Sequence, residues 1–136
     1  MSEIQTIAIL GGGNIGLSLA RGLVKAGIYR PEQIIVTRRN LAALALLSKE
    51  GFQTTDNNSD AVKRSDAVVI AVLPQQLNKL MYEIRPSLKK QRHLLISVVS
   101  GVSCHDIYVQ AGTLVQVVRA MPNTAIAIGQ SMTCIS

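Results

Sequence analysis

Ile7-Ala8-Ile9-Leu10-Gly11-Gly12-Gly13-Asn14-Ile15-Gly16 is a short apolar run that breaks into glycines and then becomes a helical pattern. Gly11, Gly13 and Gly16 fall at the spacing G-x-G-x-x-G, and each glycine has a separate physical reason in a dinucleotide site. The first permits a tight strand-to-helix turn, and the second lets backbone approach a pyrophosphate with no Cβ in the way. The third lets the helix pack closely on the sheet. The spacing alone is a weak signal, because glycine-rich turns are common. Its context strengthens it: an apolar strand precedes it, and Leu17, Leu19, Ala20, Leu23 and Val24 follow at helical spacing until Gly27. The N–H groups and positive dipole end of such a helix suit phosphate.

Outward from this turn, apolar runs alternate with helical patterns. Strands are predicted at 6–10, 33–36, 53–54, 67–72, 93–97 and 114–119, and helices at 14–26, 41–50, 59–65, 75–85 and 103–111. The alternation predicts an α/β fold of the Rossmann type, a doubly wound, mostly parallel sheet with helices on both faces. Gly27 and Gly51 read as helix stops, Ser59 and Ser103 as helix caps, and Pro86 as the end of the helix before it.

With 136 residues the chain reads as one domain, long enough for a core and short for a two-domain enzyme. It is 48% hydrophobic but only 3% aromatic, so that core is aliphatic, as buried parallel strands require. No apolar stretch approaches the roughly 18–20 residues of a membrane span, and Met1-Ser2-Glu3 lacks the layout of a signal peptide, so a cytoplasmic protein without membrane partners is expected. The net charge of +6 comes from scattered basic residues, with Lys89-Lys90-Gln91-Arg92 the main cluster and no aromatic residues interleaved. That pattern argues against nucleic acid and suits an anionic cofactor or substrate. Cys104 and Cys134 have no metal-ligand spacing, no metal site is expected, and the adjacent Cys104-His105 does not make a nucleophile–base pair.

In an open α/β sheet, ligands bind beyond the carboxyl ends of the strands, which singles out 11–16, 37–40, 73–76, 98–101 and 120–124. The second of these bears on the cofactor. NAD sites usually carry an acidic residue there for the ribose hydroxyls, whereas this chain reads Thr37-Arg38-Arg39-Asn40. Two guanidinium groups offer a 2′-phosphate charge-assisted, bidentate bonds, so NADP(H) is expected over NAD(H). At the fourth strand, Ala71-Val72-Leu73-Pro74-Gln75 places a proline at a helix start, where its missing N–H costs nothing. Backbone there can run beside the nicotinamide ribose.

Read together, four segments resemble pyrroline-5-carboxylate reductases: 11–16; Ala71-Val72-Leu73-Pro74-Gln75; Ile96-Ser97-Val98-Val99-Ser100-Gly101-Val102-Ser103; and Val118-Arg119-Ala120-Met121-Pro122-Asn123-Thr124. The last is the most distinctive, and the resemblance runs over essentially the whole chain. It implies a nucleotide-binding domain that holds NAD(P)H for hydride transfer to the imine carbon of 1-pyrroline-5-carboxylate, giving L-proline. Carried over by position, it puts Leu10, Gly11, Gly12, Gly13, Asn14 and Ile15 at the pyrophosphate, and Arg38 and Arg39, beside Thr37, at the adenosine phosphate. It puts Asn58 near the adenine ribose and Ala71, Val72, Leu73 and Pro74 beside the nicotinamide half. Ser100 and the turn Met121-Pro122-Asn123-Thr124 would border the nicotinamide and the substrate pocket.

The chain departs from the family at Leu73, where many members have Lys, at Val99-Ser100, which replaces an Ala pair, and at Ala125, which replaces a Pro. The family also carries an all-helical C-terminal domain that dimerises and completes the substrate site. The resemblance therefore implies that residues 1–136 are the cofactor half of a homo-oligomeric reductase, inactive by themselves. No catalytic residue is assigned within the chain: His93 opens a strand at the end opposite the groove, and His105 lies on a helix. Two alternatives stand beside this reading. One is the cofactor domain of another NADP-dependent reductase, such as a β-hydroxyacid dehydrogenase relative, and the other is a non-catalytic NADP-binding or regulatory module.

Overall fold

The computed structural model describes residues 5–11, 13–39, 42, 45–89, 92–99, 101–111 and 115–119. Among them, six strands form one sheet: β1 (Ile7–Leu10), β2 (Ile34–Thr37), β3 (Gln53–Thr55), β4 (Ala67–Ile70), β5 (Leu94–Ser97) and β6 (Gln116–Arg119). Five α-helices alternate with them: α1 (Asn14–Lys25), α2 (Ala45–Lys49), α3 (Asn58–Lys63), α4 (Leu77–Ile84) and α5 (Cys104–Ala111). Every pairing is parallel, and the spatial order is β3-β2-β1-β4-β5-β6. This is the expected doubly wound sheet. The winding reverses between β1 and β4, and a crevice for ligands opens at the strand ends beside such a reversal.

Side chains alternate across a strand, so both faces of β1 must find a core. Ala8 and Leu10 pack with Ile35, Val68, Ile70 and Leu95 beneath α3, α4 and α5, through Val62, Leu80, Met81, Ile84 and Ile107. Ile7 and Ile9 pack on the opposite face with Ile34, Val36, Val69 and Ile96 beneath α1, through Leu19, Ala20 and Leu23. Burial on both faces is why the strands read as unbroken aliphatic runs.

The boundaries differ from the sequence-based expectation in ways that have local causes. Gln33 belongs to a 3₁₀ turn, Pro31–Gln33, while Thr37 extends β2 by one residue. Its ladder with β3 runs on to Thr37 opposite Thr55 and then to an Arg38 N–H···O=C bond to Thr55. Strand β4 stops at Ile70, two residues early, because the chain turns away toward Pro74–Gln76. The helix expected at 75–85 divides into that 3₁₀ turn, α4, and a second 3₁₀ turn, Arg85–Ser87, which contains Pro86. Of the helix expected at 41–50, residues 45–49 are described as helical, and 41, 43 and 44 lie outside the described residues. Ser59 is not the cap of α3: the Asn57 side chain accepts the Asp60 N–H at 3.0 Å, while the Ser59 hydroxyl donates to the Glu83 carbonyl. Ser103 does cap α5, accepting the Asp106 N–H at 3.1 Å. Gly27 and Gly51 stop their helices with φ of 74° and 100°, a region that glycine enters without strain. No described helix is long and apolar enough to cross a membrane.

Candidate nucleotide-binding site

Parallel pairing in register brings the strand tips to one edge. Leu10 stands between Thr37 and Ile70, and Ile70 pairs with Ser97. The ladder then runs one residue further at each tip, with Gly11 N–H to the Thr37 carbonyl (3.2 Å), Ala71 N–H to Leu10 (3.0 Å) and Val98 N–H to Ile70 (3.1 Å). The segments singled out around Gly11, Thr37 and Ala71 are therefore neighbours, although they lie far apart in the chain.

The three motif glycines separate by physical cause. Gly11 has φ of 107°, and a Cβ there would sit 2.8 Å from the Ala71 carbonyl oxygen and 3.1 Å from Val72 Cγ1. The turn and the tight contact between the β1 and β4 tips both demand glycine. A Cβ on Gly16 would run into the Gly11 carbonyl oxygen, so the first turn of α1 can close over the loop only without one. Gly13 differs from both. Its φ of −82° and ψ of −166° suit any residue, and among the described residues an added Cβ would meet nothing within 4 Å. Neither backbone conformation nor internal packing requires glycine there.

Gly13 also caps α1, with its carbonyl accepting the Leu17 N–H at 2.9 Å. The N–H groups of a first helical turn have no partner within the helix, and α1 carries no acidic residue in that turn. Open space among the described residues, N–H groups without helical partners and a first turn free of acidic residues together suit an anion.

At the β2 tip, Arg38 and Arg39 are exposed and follow directly on the last strand residue. Thr37 is not a surface group. It is 2% exposed, and its hydroxyl accepts the Gly11 N–H at 3.3 Å while donating to Asn58 Oδ1 at 2.5 Å. The Asn58 amide in turn donates to the Glu83 carboxylate at 3.1 Å. At the β4 tip, the 3₁₀ turn closes reciprocally: the Leu73 N–H donates to Gln76 Oε1 (3.1 Å) and the Gln76 N–H to the Leu73 carbonyl (2.9 Å). Pro74 begins that turn, and Leu73 is left 57% exposed, an apolar side chain in the open beside the loop. Ile15, on the first turn of α1, is exposed too.

Leu10, Gly11, Thr37, Asn58, Ala71 and Val72 are thus joined by direct contacts, with Gly13, Ile15, Arg38, Arg39, Leu73 and Pro74 on the segments leading from them. The expectations for Gly12, Asn40, Ser100, Met121, Pro122, Asn123 and Thr124 lie outside the described residues, as does the side chain of Asn14. Sequence reasoning missed Glu83. It lies on α4 next to the buried Ile84, and no periodic signal ties it to Asn58, 25 residues earlier.

The histidines stand apart from this edge. His93 precedes β5, at the opposite end of the sheet, and is buried between two backbone partners: Nδ1 accepts the Lys89 N–H (2.8 Å) and Nε2 faces the Val62 carbonyl (2.8 Å). Burial lowers its pKa below the ordinary imidazole value, and the neighbouring Arg92 adds to the effect. His105 is exposed on α5. Among the described residues, no group of His, Cys, Asp and Glu could hold a metal ion.

A family model described as NADP oxidoreductase, coenzyme F420-dependent, matches residues 6–101. Pyrroline-5-carboxylate reductase 1 of Dictyostelium discoideum is 45% identical over 130 residues, which is 96% of this chain and 23% of that protein. A solved pyrroline-5-carboxylate reductase from Coxiella burnetii superposes with a TM-score of 0.81 at 34% identity, over 88% of this chain and 44% of that one. A Plasmodium falciparum pyrroline carboxylate reductase with NADP bound shares the fold, with a TM-score of 0.74 at 22% identity over 89% of this chain and 43% of that one. The chain spans half or less of the length of the curated relatives it matches. Residues 1–136 belong to the NADP oxidoreductase, coenzyme F420-dependent family, and the relatives they match along nearly their whole length are pyrroline-5-carboxylate reductases.

Proposed function

We propose that the chain is the cofactor-binding domain of a pyrroline-5-carboxylate reductase and holds NADPH across the tips of β1, β2 and β4. The observation that carries this reading is Gly13, a glycine that neither its backbone conformation nor packing among the described residues needs. A ligand atom lying where its Cβ would project supplies the missing reason. The pyrophosphate lies against 10–15 and the start of α1. Arg38 and Arg39 take the adenosine 2′-phosphate, with Thr37 and Asn58 beneath it. Ala71, Val72, Leu73 and Pro74 line the nicotinamide half, with Ser100, Met121, Pro122 and Asn123 completing that border.

When bound, NADPH supplies the hydride that converts the imine carbon of 1-pyrroline-5-carboxylate to that of L-proline. The described residues of this chain contribute position and charge rather than a proton donor, since His93 is at the far end of the sheet and His105 is on an outer helix. The substrate carboxylate and imine nitrogen are held by a helical domain beyond these residues, through which the reductase forms a homo-oligomer, in the cytoplasm.

Titration of the chain with NADPH and NADH, followed by nicotinamide fluorescence, tests the reading. Wild type binds NADPH more tightly than NADH, and Arg38→Ala with Arg39→Ala removes that preference. Gly13→Val weakens NADPH by at least about tenfold, the scale of one hydrogen bond to a charged phosphate, while the melting temperature falls by no more than about 5 °C, the cost of replacing a glycine N-cap. Binding of NADPH by Gly13→Val at wild-type strength would remove the main support.

A further inference from the structure

Beneath the β2 tip runs a chain of hydrogen bonds whose direction is set at its far end. As a carboxylate, Glu83 accepts and cannot donate, so it draws the amide nitrogen of Asn58 toward itself, at 3.1 Å to Oε1 and 3.5 Å to Oε2. That turns Asn58 Oδ1 toward Thr37, whose hydroxyl must then donate its single proton to it. With that proton committed, the Thr37 hydroxyl oxygen can only accept, and it shares the Gly11 N–H with the Thr37 carbonyl. A carboxylate on α4 thereby fixes the polarity of a residue on β2 and engages the first N–H of the glycine turn. Ser59 helps to hold the two helices in this relation by donating to the Glu83 carbonyl at 3.1 Å.

We propose that Glu83 is a positioning residue of the nucleotide site, holding Asn58 in the one amide orientation that leaves its second N–H as the donor offered at the adenosine end. The inference rests on the reading of this edge as an NADPH site. With Glu83 in place, the buried Thr37 hydroxyl cannot donate to a phosphate oxygen, so among the described residues the side-chain donors left at the β2 tip are Asn58 and the two arginines. Without Glu83, the Asn58 amide is free to turn over. Thr37 then has no fixed acceptor, and a carbonyl oxygen can face the anionic ligand.

The test measures affinity of the chain for NADPH and for adenosine 2′,5′-bisphosphate, which carries the adenosine end alone. Glu83→Ala weakens both ligands by a similar factor of about ten, the scale of one hydrogen bond to a charged group. Glu83→Gln keeps an acceptor for the amide and stays within about threefold of wild type. In an Asn58→Ala background, Glu83→Ala adds little, because the amide it orients is gone. If Glu83→Ala fails to fold, Glu83→Leu makes the same measurement with side-chain volume retained. A wild-type chain that binds both ligands, with Glu83→Ala or Glu83→Leu within about twofold of it, overturns the positioning role and leaves the NADPH site standing. Loss of NADPH affinity without loss of bisphosphate affinity also overturns it, since the effect would then lie elsewhere. A wild-type chain that binds neither ligand overturns the NADPH reading, and this inference with it.

Discussion

His93 is buried where a charge is costly, and its two ring nitrogens have different partners. Nδ1 accepts the Lys89 N–H, so the ring proton belongs on Nε2, facing the Val62 carbonyl. Protonating Nδ1 would set an N–H against an N–H. The pKa is lowered in the fold, so the unfolded chain takes up the proton first as the solution is acidified. The stability contributed by neutral His93 is therefore complete above about pH 6.5 and is lost as pH falls through the folded-state value. Urea midpoints measured between about pH 7.5 and 5 should fall on acidification, and His93→Leu should flatten that slope. Equal slopes for the two proteins would count against the assignment. The place of His93 before β5, at the end away from the groove, was legible in the sequence, whereas its burial between two backbone partners was not. The Thr37–Asn58–Glu83 relay was not, because it joins residues 21 and 25 positions apart and depends on which way an amide faces.

At the scale of elements, α3 shows where a sequence pattern loses resolution. Asn57, Asn58 and Ser59 are three successive residues of capping type, and composition does not choose among them. The structure uses them for three purposes: Asn57 caps the helix, Asn58 bridges β2 to α4, and Ser59 bonds to the α4 backbone. Thermal or urea unfolding should show Asn57→Ala destabilised by about 1 kcal/mol, with Ser59→Ala losing roughly half as much because its bond leaves no helix N–H unpaired. If the two costs are reversed, Ser59 is the cap. Strand ends were misplaced for a related reason. Thr37 looks like a polar loop residue, yet the β3 ladder keeps it in the sheet and buries it. Helix stops were easier to read, because Gly27 and Gly51 mark a backbone conformation that few other residues adopt.

Across the whole molecule, the parallel class and the edge where the candidate segments meet followed from alternating apolar runs and helical patterns. The spatial order of the strands required the pairings themselves. That order places β1 and β4 at the centre, covered on both faces, and among the described residues leaves β3 and β6 with one neighbour each. Native-state hydrogen exchange should show the β1 and β4 amides exchanging only through global opening, and those of β3 and β6 through smaller local events. Uniform protection across the sheet would contradict this. The central place of β1 also bears on how the chain is made. Ile7 pairs with Ile34 on one side and Ala67 on the other, so the first described strand of this sheet to be made waits for the fourth before both its edges are satisfied. Such long-range pairing is slow to form, and an aliphatic strand with a bare edge is open to the wrong partner meanwhile. The strand that carries the glycine turn is the earliest synthesised of the described strands and waits through the longest stretch of chain for its second neighbour.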